Sequence, residues 1–137
     1  MKLILFSGDH PRHLFINKEV LKYFDEVLVI VMFREEILPT APNDLTKHDK
    51  KLFEKHFQNR YRVEFLNYGD LKAKEVFKNY NTIFINSNEL NSKKIAEKVK
   101  KFNADFAFIF GVDLILDPVI NELPIDKINL HLGLSPW

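Results

Sequence analysis

Asn129 and His131 stand two residues apart at the end of the short apolar run 127–132, close to the last residue of the chain. Strand alternation puts residues i and i+2 on one face, so the pair presents an amide beside an imidazole. The amide both donates and accepts hydrogen bonds, and histidine exchanges a proton near neutrality. The run follows the turn-forming Leu123, Pro124, Ile125 and Asp126, and its length fits a buried strand better than a helix. In a parallel sheet covered on both faces, such polar groups need partners, and the carboxyl end of a strand is where ligands bind. The alternative is structural, with Asn129 bonding a loop carbonyl and His131 capping a neighbouring helix. A second cluster, Gly8, Asp9, His10, Pro11, Arg12 and His13, leads from a first strand into a helix. A helix N-terminus with Arg12 and two histidines beside it suits an anionic substrate group. The competing reading has Asp9 capping the helix and Arg12 merely solvated.

The elements that would position these residues alternate along the chain. Strands are expected at 3–6, 27–33, 82–86, 106–110 and 127–131, the second apolar almost throughout and therefore central. Between them lie a helix from the Gly8 turn to about Tyr23, with Pro11 in its first turn, and a long helix from a cap at Asn43 or Asp44 to about Arg62. A stripe of Leu45, Leu52, Phe53, His56, Phe57, Arg60 and Tyr61 marks one face of that long helix. A short helix is expected to end within 76–80, a Lys-rich amphipathic helix to run through 91–102 from a cap at Asn91 or Ser92, and another short helix to cover 116–123. Residues 34–43, with Pro39 and Pro42, form a looser connection. Strands spaced by helices predict an α/β fold: a Rossmann-like, doubly wound, mainly parallel sheet with helices on both faces.

Composition limits what such a domain can do. At 137 residues the chain is one domain, and a net charge of +1 makes no case for nucleic acid or an anionic membrane. The absence of cysteine excludes disulfides, thiolate nucleophiles and Cys-ligated zinc. The five histidines lack metal-ligand spacing, so no metal is expected. Only four glycines occur, and the loop after the first strand carries neither the dinucleotide fingerprint nor a phosphate loop, which leaves nicotinamide and ATP without support. The lysines of 93–101 read as a solvated face. The first apolar segment is too short for a signal peptide and no run reaches the length of a membrane span, so a cytoplasmic protein is expected.

The segment 104–118, with Gly111, Val112, Asp113, Leu114, Ile115, Leu116 and Asp117-Pro118, followed by Ile128, Asn129, Leu130, His131, Leu132, Gly133, Leu134, Ser135 and Pro136, resembles the formyltransferase family that uses 10-formyltetrahydrofolate. In that family a strand ending in glycine leads to an Ile-Leu loop, a short helix, and a strand ending in Asn-x-His before a Leu-containing loop and proline. The match covers about the last third of the chain, and the Gly-Leu-Ser-Pro wording is closer to the amino-sugar and otherwise uncharacterised branches than to the Ser-Leu-Leu-Pro of the transfer-RNA and purine enzymes. The resemblance implies formyl transfer to the amine of a small substrate such as a nucleotide-linked amino sugar. Asn129 would bind the oxyanion of the tetrahedral intermediate, a contact worth about 3–4 kcal/mol where a comparable donor has been removed. His131 would help bind the oxyanion or relay the proton. Gly111, Val112, Asp113, Leu114, Ile115 and Leu116 would line the pterin pocket, although Leu114 and Leu116 serve equally well as core. The acceptor's anionic group would lie near Gly8, Asp9, His10 and Arg12.

The family's third catalytic residue is an aspartate some tens of residues beyond Asn-x-His, and this sequence stops six residues after His131. The expectation is therefore a formyltransferase N-terminal domain, incomplete at its C-terminal end and inert by itself, with an apolar C-terminal edge open to self-association. The alternatives are a non-catalytic folate-binding or interaction domain of the same fold, an enzyme like methionyl-transfer-RNA formyltransferase, and an unrelated flavodoxin-like domain with a structural Asn-His pair.

Overall fold

The computed structural model of the chain describes residues 1–33 and 38–131. Part of the connection after the second strand, and the Leu132 to Pro136 portion of the terminal motif, lie outside the described residues. The five strands are β1 (Lys2–Gly8), β2 (Glu26–Phe33), β3 (Asn81–Asn86), β4 (Phe106–Phe110) and β5 (Lys127–Leu130). They form one all-parallel sheet in the order β3-β2-β1-β4-β5. The Rossmann-like α/β reading holds.

Alternation along the central strands divides the core into two layers. On one face Leu3 and Leu5 of β1 join Val27, Val29 and Val31 of β2, Leu14 of α1 (Pro11–Val20) and Ala73 of α3 (Ala73–Val76). On the other, Ile4 and Phe6 join Leu28, Ile30 and Met32, together with Ile95, Ala96 and Val99 of α4 (Lys93–Phe102). Residues 3–6 of β1 are fully buried, because β1 is flanked by strands on both edges and by helices on both faces.

Several local expectations change. His10 is the N-cap residue of α1 and makes no side-chain cap bond, with Pro11 following in the first turn, so the N-cap position falls to His10 and not to Asp9. The long helix α2 (Lys47–Tyr68) begins at Thr46, whose Oγ1 accepts from the Asp49 amide at 3.2 Å, rather than at Asn43 or Asp44. It also runs past Arg62 to Tyr68, where Gly69 at φ 74° ends it. Its main neighbour is α1, with Phe15 and Tyr68 rings 5.1 Å apart, so its apolar stripe is not core. Leu52 and Tyr61 are exposed, and Glu64 is its one buried residue.

Ser92 caps α4 through its Oγ, which accepts from the Ile95 amide. The expected helix over 116–123 reduces to a 3-10 turn, Ile120–Glu122, since Pro118 lacks an amide hydrogen and restricts the residue before it. All four residues of β5 are exposed. Among the described residues the expected buried strand is an edge strand, paired with β4 alone, and an edge strand lacks one of the neighbours that would bury it.

Candidate functional site

The strand order reverses between β1 and β4. From β1 the chain moves outward through β2 to β3, then returns through α4 to β4 on the other side of β1. The connections leaving the carboxyl ends of β1 and β4 therefore diverge, and such a switch point opens a crevice for ligands. Gly8 ends β1 and Gly111 follows β4 at φ 82°. His13, from the first turns of α1, fills the space they leave. A Cβ on Gly8 would come within 2.4 Å of both His13 Nδ1 and the Gly111 carbonyl oxygen, and one on Gly111 within 2.4 Å of the same nitrogen. His13 is 2% exposed and meets Phe110 edge-on, with ring centroids 4.7 Å apart.

One cleft of about 610 Å³ brings together Gly111, Val112, Asp113, Leu114 and Ile115 with Asn129 and His131, and has Arg12 and His13 in its wall. Residues from the two halves of the terminal motif thus face one space. Asn129 and His131 are exposed, not buried, because β5 is an edge. Leu116 is not in this lining, and of the two readings open for Leu114 and Leu116 the core one does not hold. Leu114 is 73% and Leu116 51% exposed, whereas Ile115, between them, is buried.

A second cleft of about 560 Å³ adjoins the first and runs toward α2, lined by His10, Arg12, Phe53, Phe57, Arg60 and Asp113 among others. Arg12 and Asp113 belong to both. Of the other candidates in the first loop, Gly8 lies against His13, and Asp9 faces a separate hollow with Tyr61 and Phe65. Arg12 is not simply solvated: its Nη1 donates to Glu64 Oε1 at 2.5 Å, and Arg60 approaches the same oxygen at 3.8 Å. Arg60 also lies over the Phe57 ring at 4.4 Å. Burial, together with the Arg12 guanidinium, holds the His10 imidazole below its ordinary pKa of 6.5.

The loop after β4 is pinned from the segment after β3. Asn91 Nδ2 donates to the Leu114 carbonyl at 3.0 Å, and its Oδ1 accepts from the Leu116 amide at 2.7 Å. Ser87 Oγ donates to the Asp113 carboxylate. Asn91, which sequence alone offered as a helix cap, is a support of the cleft. Neither Glu64 nor Ser87 was legible as a site residue, since each acts through a partner distant in sequence.

Among the described residues no group of three or more His, Cys, Asp or Glu side chains is arranged to hold a metal ion, and no helix is long and apolar enough to cross a membrane. In comparisons with known proteins, no family model matches the chain, and no significant match is found among curated proteins.

Proposed function

We propose that the protein transfers a formyl group from 10-formyltetrahydrofolate to the amine of a small acceptor in the cytoplasm, the acceptor being an amino sugar carried on a nucleotide. The observation that carries this reading is the shared cleft of the Gly111 loop with Asn129 and His131, next to a second cleft walled by Arg12. The first would take the pterin end of the cosubstrate and the second the anionic acceptor. Attack of the amine nitrogen on the formyl carbon gives a tetrahedral oxyanion. Its collapse breaks the bond from that carbon to folate N10, while a proton passes from the amine to N10. Asn129 donates its amide to the oxyanion, and His131 shares that contact or carries the proton.

The test is turnover of 10-formyltetrahydrofolate with amino-sugar nucleotides by the full-length protein. Asn129→Ala is expected to lower kcat by about 10²–10³-fold with little change in the affinity for a non-reactive formylfolate analogue. Undiminished turnover in that variant would exclude the role. A non-catalytic binding domain is the second reading, favoured by the exposed apolar Leu114, Ile128 and Leu130 beside the cleft. It predicts folate binding without turnover, or self-association through the β5 edge.

A further inference from the structure

His10 is 7% exposed and lines the second cleft. Its Nδ1 lies 3.3 Å from Arg12 Nη1. A guanidinium only donates, so Nδ1 must accept, and in the neutral ring the proton then resides on Nε2. That nitrogen is buried with no hydrogen-bond partner among the described residues. A buried donor without a partner calls for an oxygen acceptor, and the cleft that His10 lines has Arg12 and Arg60 in its walls. Two cationic groups and one neutral N–H donor match the several oxygens of a phosphate group.

The orientation of Arg12 is set from α2. The same Nη1 that faces His10 donates to Glu64 Oε1, and Glu64 is 9% exposed. One nitrogen with two hydrogens therefore links a nearly buried carboxylate to the imidazole. We propose that Glu64 and Arg12 form a positioning chain that fixes His10 with its proton on Nε2, making that N–H a donor to a phosphate oxygen of the acceptor. Glu64 is a positioning residue in this scheme, and Arg12 and His10 are the groups that meet the ligand. The assignment of this cleft to the acceptor rests on the function proposed above; the chain of contacts from Glu64 to His10 does not.

The experiment uses the full chain labelled with ¹⁵N-histidine and inorganic pyrophosphate as the probe. Long-range ¹H–¹⁵N correlation at neutral pH should show His10 protonated on Nε2, with that signal shifting as pyrophosphate is added. Glu64→Gln should yield a mixed tautomer population and about 10-fold weaker pyrophosphate binding by calorimetry. The sign is decisive, because removing a negative charge beside the cleft would by Coulomb attraction alone tighten anion binding. Tighter or unchanged binding in Glu64→Gln, a proton on Nδ1 in the parent protein, or no pyrophosphate binding by the parent protein would each overturn the proposal. Should Glu64→Gln not fold, Arg12→Lys keeps the charge but loses the fork and must disturb the tautomer in the same way; an undisturbed tautomer overturns the proposal. None of these readouts involves folate, so absence of formyl transfer with the expected tautomer and binding would remove only the functional reading.

Discussion

An imidazole occupies the space that two glycines leave open where β1 and β4 end. Gly111→Ala would bring a methyl group within 2.4 Å of His13, at a φ of 82° that residues with a Cβ avoid. Denaturant unfolding should show a loss of about 1–3 kcal/mol. All three nearest atoms at Gly111 belong to His13, so His13→Ala should relieve the steric share and leave only the backbone share. The double variant is then expected to be more stable than the sum of the single changes by about 1 kcal/mol. Strict additivity would mean that the ring is not what the glycine accommodates. Gly8 differs, because the Gly111 carbonyl oxygen also stands in the way of its Cβ, and carbonyl backbone cannot rotate aside as a side chain can.

At the scale of elements, the loop after β4 owes its shape to Asn91, which bonds both the Leu114 carbonyl and the Leu116 amide. Asn91→Ala should cost about 1–2 kcal/mol for the two lost bonds and raise hydrogen exchange at the Leu116 amide while leaving the amides of β1 protected. Unchanged exchange at Leu116 would show that the loop holds itself. The strands and α4 were legible in sequence because their apolar periods report burial directly: 106–110 is the observed β4, and Ile95, Ala96 and Val99 form the buried face of α4. The start of α2 was not, since Asn43, Asp44 and Thr46 all have capping side chains and the choice depends on where the chain turns onto α1. Its apolar stripe marked a face, and periodicity does not say whether the sheet covers that face; Leu52 and Tyr61 on it are exposed. Likewise β5 has the composition of an inner strand, but edge position is a property of strand order. Asn129, His131, Arg12 and His10 were singled out by residue type, whereas the contact of Glu64 with Arg12 spans 52 residues and no local pattern announces it.

Across the whole molecule, the pairing of the first loop with α2 makes stability depend on pH. Burial and Arg12 lower the pKa of His10, Arg60 adds to the effect, and Asp9 and Glu64 oppose it. The unfolded chain therefore binds more protons than the folded one below the ordinary value of 6.5. This group's contribution is fully present above 6.5 and is lost as pH falls through 6.5 toward the lowered folded-state value. The unfolding midpoint should fall on acidification through that window, and His10→Gln should flatten the dependence. An identical pH profile in His10→Gln would assign the acid sensitivity to other groups. The two adjoining clefts carry a further consequence, because Arg12 and Asp113 stand in the wall between them. A ligand that draws either side chain toward itself alters the wall its neighbour meets. Any resulting change in affinity must be reciprocal, each occupant altering the other's dissociation constant by the same factor. The order in which the two ligands arrive is then a matter of kinetics alone.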